Sequence, residues 1–282
     1  MSLIYDVSFD STTRVLSLLD KAGNVISSCE VPSKGDPLTL TATADNSSVK
    51  LAKTGKVDNT YEVNTGSSWV PYTFGTVINL NKGQSCKWRC TSHPTTFDDY
   101  TTYVQFVMTG SIEASGEVYS MLSSNLSDVT TLKGYDYAFI HLFEGCKSLI
   151  KAPELPATTL TPDCYDHMFE GCTALTQAPQ LPATTLAEFC YFRMFSGCTA
   201  LTQAPQLPAT TLASNCYGFM FQGCSKLKEV HISATETAWG ALESWLGGVS
   251  STGYFYCKPN ATIFPRNSAS GIPSGWVRLD NN

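Results

Sequence analysis

GCTALTQAPQLPATTLA, the stretch from Gly171 to Ala187, recurs without a change from Gly197 to Ala213. Around it Phe143, Phe169, Phe195 and Phe221 stand 26 residues apart, and Gly145, Gly171, Gly197 and Gly223 keep the same step. So do Cys146, Cys172, Cys198 and Cys224, and, over three copies, Pro153/Pro179/Pro205, Leu160/Leu186/Leu212, Cys164/Cys190/Cys216 and Tyr165/Tyr191/Tyr217. Chance does not produce such agreement, so the array grew by duplication and each period is one structural unit.

One period reads LxxAPxLPATTLxxxCYxxMFxGCxx. In the last unit Leu227, Val230 and Ile232 give L-x-x-V-x-I, the strand core of a leucine-rich repeat. The inner units add a residue at Pro153, Pro179 and Pro205; proline cannot donate to a sheet ladder, so each predicts a bulge. A coil is then a short strand, a Pro-Ala-Thr-Thr corner and a tight CYxxMF return. One coil cannot bury its Leu, Phe and Cys positions alone, whereas stacked coils bury them as continuous columns, which predicts a solenoid.

MFEGCTAL (Met168 to Leu175), APQLPATTL (Ala178 to Leu186) and CYFRMFSGC (Cys190 to Cys198) closely resemble the BspA-like surface leucine-rich repeats, similar to those of a treponemal membrane protein and abundant in Bacteroides-type gut bacteria. The resemblance is strong over about residues 116–232. It implies a secreted or surface-exposed, non-enzymatic adhesin or interaction protein, with none of the shared motif positions catalytic.

Outward from the array, residues 5–32 hold two strand-like runs, Val15–Asp20 and Asn24–Val31, around an Asp-Lys-Ala-Gly-Asn turn. Several short runs between Pro37 and Thr109, split by Asp-Asn, Lys-Gly and Thr-Gly-Ser-Ser turns, predict an antiparallel sandwich of Ig-like size. GSSWVPYTFGTVINL also resembles the β module that precedes these repeats in the family. After Ile232, Trp239, Leu242, Trp245 and Leu246 fall at helical spacing between Ser/Thr and Gly247-Gly248, which predicts an amphipathic helix over the last coil. GYFYCKPNATIF and SGIPSGWVRL read as a closing strand pair, similar to the family's ending. The expected fold is thus mainly β with short helices. It comprises an N-terminal β hairpin for docking (1–35), a small Ig-like β-sandwich (36–112), a leucine-rich repeat solenoid (113–232) and a C-terminal helix and strand cap (233–282).

Composition limits the function. Charged residues are 15% of the 282, against about 25% in an average soluble domain, so polarity comes from Ser, Thr, Asn and Gln. The net charge of −6 provides no basic surface to neutralise phosphates, which excludes nucleic acid as a partner. No apolar run reaches the ~18–20 residues of a membrane span, and MSLIYDVSFDST lacks the layout of a signal peptide.

The eleven cysteines invite disulfides, yet seven lie in two repeat columns, where buried free thiols acting as small hydrophobes are expected. Cys86 and Cys90 on one strand stand too far apart to bridge. Cys164 with His167 is the one hint of a metal site, and the equivalent residues in the next coils are Arg193 and Phe219, so no metal or cofactor is expected. Asp98-Asp99 reads as a solvated turn, His93, His141, His167 and His231 fall on different segments, and there is no phosphate loop, HExxH or GxSxG. No catalytic residue is assigned.

The outward strand positions remain. They form the columns Ile150/Thr176/Thr202/Lys228, Lys151/Gln177/Gln203/Glu229 and Glu154/Gln180/Gln206. Stacked Thr and Gln either hydrogen-bond one another up the ladder or offer amides and hydroxyls to a glycan or a polar protein surface. The candidate ligand face is therefore Lys151, Glu154, Thr176, Gln177, Gln180, Thr202, Gln203, Gln206, Lys228 and Glu229. Because residues 1–35 resemble the docking strands that open many phage fibre proteins, the expected setting is a phage virion surface. There residues 1–35 would hold other virion proteins and the repeat face would meet a host surface protein or glycan. The alternative is a bacterial outer-surface adhesin that has lost its leader. A cell-wall or glycan hydrolase is a third, weaker reading.

Overall fold

A computed structural model describes the backbone of residues 6–10, 15–19 and 25–30, and residues 35–92, 99–123 and 130–280 in full. The chain is mainly β, built from open sheets, and its helical element among the described residues is one 3-10 turn, Val118–Met121. No helix there is long and apolar enough to cross a membrane.

The N-terminal segment is a three-stranded antiparallel sheet rather than a hairpin. Strands β1 (Asp6–Asp10), β2 (Val15–Leu19) and β3 (Val25–Glu30) pair in sequence order. The run before Val15 alternates as a strand must, and β1 was hidden by its two aspartates.

Strands β4 (Thr39–Ala42), β5 (Ser47–Thr54), β6 (Thr60–Asn64), β7 (Val70–Pro71), β8 (Ile78–Leu80), β9 (Ser85–Ser92), β10 (Tyr103–Thr109), β11 (Ile112–Ser115) and β12 (Leu149–Lys151) make two open sheets. One is ordered β10-β5-β8 and the other β12-β11-β4-β9-β6-β7. Alternate residues of β4, β5, β9 and β10 are buried, except at the exposed C-terminal ends of β5 and β9, the period-2 signature of strands with one face inward. The two inner faces meet through Trp88 and Phe106, whose rings are 5.2 Å apart and edge-on. Strand β12 belongs to the first repeat, yet pairs in parallel with β11 of the module. One sheet and one apolar core thus run through the junction near residue 112.

Beyond β12 the repeats stack as coils. Their returning sides are chains of tight turns in which every fourth residue is left-handed: Tyr137, His141 and Gly145, then Asp163, His167 and Gly171, Phe189, Arg193 and Gly197, Asn215, Phe219 and Gly223. Half of the amides close turns within a coil, as Leu142 N–H to Phe139 O. The alternate amides bridge coils, as Phe143 to Met168 O, Phe169 to Met194 O and Phe195 to Met220 O. Two near-parallel aromatic columns fill the stack. Phe106, Phe143, Phe169, Phe195 and Phe221 follow at 5.2–5.6 Å, and Phe139, Tyr165, Tyr191 and Tyr217 at 5.5–5.9 Å.

The expected bulge is seen in the coil carrying Pro205. Gln203 pairs with Glu229, and the next pair is Leu207 with Ile232, so the coil carrying Pro205 spends one residue more than its neighbour. The last coil, with His231 in place of that proline, forms the strand β13 (Glu229–His231). It is followed in parallel by β14 (Gly253–Cys257) and β15 (Trp276–Asp280), the expected closing pair. Arg278 of β15 ties down the loop after β14, its guanidinium donating to the carbonyls of Lys258, Pro259 and Ala261 at 3.0–3.1 Å.

The expected helix over residues 239–248 is not there. Gly240, Ser244 and Gly248 are left-handed at the same four-residue step. Tyr217, Phe219, Phe221 and Gly223 donate to the carbonyls of Ala241, Glu243, Trp245 and Gly247. The segment is one more returning side, with Trp245 and Leu246 buried and Trp239 outside the core at 78% exposure.

Candidate functional site

The outward side chains of successive strands lie in register because each coil presents the same offsets to the ladder. Thr176, Gln177, Gln180, Thr202, Gln203 and Gln206 are all exposed and together line a furrow of about 540 Å³ floored by Ala178, Ala204 and Pro205. A second hollow of about 360 Å³ continues it over Lys151, Glu154, Gln177 and Gln180. Eight of the ten candidate face residues therefore line two adjoining concavities. Lys228 and Glu229 stand at the far end of the same columns, outside the lining.

Of the two alternatives for the columns, bonding of one glutamine to the next is not seen among the described residues. Gln203 Nε2 donates to Glu229 Oε1 at 2.7 Å, and Thr176 Oγ1 donates to the Ile150 carbonyl at 3.2 Å. Among the described residues the amides of Gln177, Gln180 and Gln206 have no hydrogen-bond partner. An amide carries two donors and an acceptor with two lone pairs, so these three side chains leave their bonding capacity facing solvent. At the far end Glu229 Oε1 also meets His231 Nε2 at 2.8 Å, and the His231 ring lies on Tyr256 at 4.0 Å. Toward the N-terminus the strand face passes into the module through β12 and β11, where Lys151 pairs with Glu113.

A second cluster escaped the sequence reading. Tyr100, in the turn before β10, places its hydroxyl 2.6 Å from Asp163 Oδ1 and 2.7 Å from Asp166 Oδ2. Asp166, fully buried, also holds His167 Nδ1, whose Nε2 is 3.3 Å from Glu170. Glu170 in turn meets Arg193 at 3.5 Å and the Ser196 hydroxyl at 3.2 Å. His141, ring centroid 4.9 Å from His167, binds Glu144 at 2.7 Å, so two of the four histidines are column neighbours rather than scattered. One phenolic proton cannot satisfy two carboxylates, so the arrangement favours a proton on one of them. Burial raises the Asp163 carboxyl above its usual range, and burial with the two aspartates pushes the Tyr100 hydroxyl far up. These groups satisfy one another and line neither furrow. The departure of Asp163 and Asp166 from Phe189/Asn215 and Phe192/Gly218 in the other coils was the available signal.

The remaining candidates resolve simply. Asp99 accepts from the Thr101 amide and hydroxyl at 2.7 and 2.6 Å, closing its own turn; Asp98 and His93 lie outside the described residues. Cys164 is buried, its thiol directed at the Cys190 carbonyl at 3.9 Å. Among the described residues no three His, Cys, Asp or Glu are grouped to hold a metal ion. Ten cysteines are buried, and Cys172, Cys198 and Cys224 donate to the carbonyls of Phe143, Phe169 and Phe195 at 3.1–3.2 Å. Set against protein-family models, characterised proteins and solved structures, the chain matches none of them.

Proposed function

We propose that this chain is a non-enzymatic binding protein of the BspA-like leucine-rich repeat type, displayed on an extracellular surface, with the Thr/Gln furrow as its contact. The observation that carries this reading is the row of unpartnered amides at Gln177, Gln180 and Gln206 along an open furrow. Exposed side chains with unused donors and acceptors, held at a fixed spacing by the stack, can exchange their bonds to water for bonds to a polar ligand. Affinity per copy is modest on so short a strip, and display in many copies offsets that through avidity.

The setting we favour is a phage virion, as a fibre or decoration component, with residues 1–35 as the tether to other virion proteins. A bacterial outer-surface adhesin is the alternative. The direct test is adhesion of the fluorescently labelled chain, presented multivalently on beads, to Bacteroides-type cells. The Gln180→Ala/Gln206→Ala variant is expected to lose adhesion while keeping its melting temperature; adhesion equal to the parent chain would reject the furrow as the contact. Mass spectrometry of purified phage particles against washed outer membranes separates the two settings.

A further inference from the structure

We infer that the furrow takes a neutral polyhydroxylated chain, a polysaccharide laid along the stack so that successive sugar units meet successive coils. This rests on the binding reading above and names its ligand.

The first observation is chemical. The 540 Å³ furrow is lined by two threonines, four glutamines, alanine and proline, and by no charged side chain. A sugar hydroxyl both donates and accepts, and only groups that also do both, amides and hydroxyls, complement it in any orientation. Ala178, Ala204 and Pro205 on the floor supply apolar surface for the C–H face of a pyranose ring. The charged residues of the columns, Lys151, Glu154, Lys228 and Glu229, stand only at the two ends. A chain of net charge −6 is moreover repelled by acidic polymers.

The second observation is metric. Hydrogen-bonded strands sit about 4.7–4.9 Å apart, and the coils of this stack follow at 5.5–5.6 Å along the phenylalanine column. Thr176-Gln177-x-x-Gln180 is therefore repeated by Thr202-Gln203-x-x-Gln206 one coil on. A ligand that uses both sets equally must itself repeat at that step. One pyranose unit of an extended polysaccharide advances by about one such spacing. An extended peptide lying the same way advances roughly 3.3 Å per residue and 6.6 Å per like-facing pair, so it falls out of register by the second coil.

The test is affinity electrophoresis of the full chain through gels carrying neutral polysaccharides (mannan, β-glucan, xylan, galactan) or acidic ones (polygalacturonate, hyaluronate). At least one neutral polymer is expected to retard the parent chain. Gln180→Ala/Gln206→Ala should weaken that retardation about tenfold, the loss of one or two hydrogen bonds. A rise from about 0.05 to 0.5 M salt should change it by less than about twofold. For the retained polymer, oligosaccharides should gain affinity with each added unit up to about the number of coils. Retardation by acidic polymers alone, salt sensitivity, or no retardation in any gel would overturn the inference. Periodate and protease treatment of target cells then separates free surface polysaccharide from glycoprotein glycans. Gln-dependent adhesion that survives periodate leaves the binding function standing and removes only this ligand class.

Discussion

The Cys146 thiol donates to the Phe106 carbonyl at 3.0 Å, across the junction between the β module and the first coil. The same bond recurs inside the stack from Cys172 to Phe143, and the Phe106 ring lies on Phe143 as Phe143 lies on Phe169. Strand β10 thus presents to the first coil what each coil presents to the next. The module occupies the place of a terminal repeat, covering an aromatic column that would otherwise end in water.

Unfolding is accordingly expected to be a single transition shared by module and coils. Phe106→Ala removes the base of the column and should cost about 3–5 kcal/mol, as should Phe169→Ala in its middle. Denaturant unfolding followed by tryptophan fluorescence, which reports Trp88 in the module and Trp245 at the far end, checks both. Two separated transitions in the parent chain would show that the shared core does not couple the parts.

Trp239 and Trp245 discriminate the turn stack from the amphipathic helix that the spacing suggested. A helix would bury both; here Trp245 is fully buried and Trp239 is 78% exposed. Trp245→Ala should therefore cost about 3–5 kcal/mol and Trp239→Ala less than about 0.5 kcal/mol. Circular dichroism near 222 nm should show little helix.

That helix failed for an identifiable reason. Apolar residues at three- and four-residue intervals fit a helix, but they equally fit a turn chain whose left-handed residues recur every four. Gly240, Ser244 and Gly248 align with Asn215, Phe219 and Gly223 at a step of 25 instead of 26, which concealed the extra copy. The columns themselves were readable because a fixed period converts sequence offsets directly into spatial neighbours, and with them most of the furrow. The Tyr100 clasp was not, since it joins residues 63 and 66 positions apart that no period relates.

The stacked thiols should be inert. Burial pushes Cys86, Cys216 and Cys224 up to about 12, so essentially no thiolate exists there at neutral pH, and Cys146, Cys164, Cys172, Cys190, Cys198 and Cys257 are shifted the same way. Reaction of the native chain with iodoacetamide, mapped by peptide mass, should leave the ten described cysteines unmodified, and full modification should follow denaturation. Reductant should leave the melting temperature unchanged; a drop would reveal disulfides.

Tyr165 is stacked between Phe139 and Tyr191, and its hydroxyl is buried with no hydrogen-bond partner among the described residues. An unsatisfied buried hydroxyl costs about 1–3 kcal/mol. Tyr165→Phe keeps the ring and removes the cost, so stability should rise by about 1 kcal/mol. A loss in urea unfolding would mean that the hydroxyl is satisfied in solution.

The clasp of Tyr100 makes stability depend on pH with a sign that can be worked out. Burial raises the Asp163 carboxyl above its ordinary 3.8. The folded state then holds that proton more tightly, so the contribution is present below 3.8 and lost as pH rises through the folded value. His167 moves the same way: its bond to Asp166, with the charges of Asp166, Glu170 and Glu144, outweighs its burial. Its contribution is full below about 6.5 and lost as pH rises through its own raised value. Glu144, lowered by its bond to His141, acts oppositely and is lost as pH falls below 4.5. The groups facing this cluster are Tyr100 and Asp99 from the module, Asp136, Tyr137, His141 and Glu144 from the first coil, and Glu188 and Arg193 from the third. Urea midpoints between pH 4 and 8 should therefore peak on the acid side of neutrality. Asp163→Asn should flatten the fall that begins near pH 4, and His167→Gln the fall above pH 6.5. A parent chain whose midpoint climbs steadily from pH 5 to 8 would contradict both shifts, because only groups lowered in the folded state give that slope.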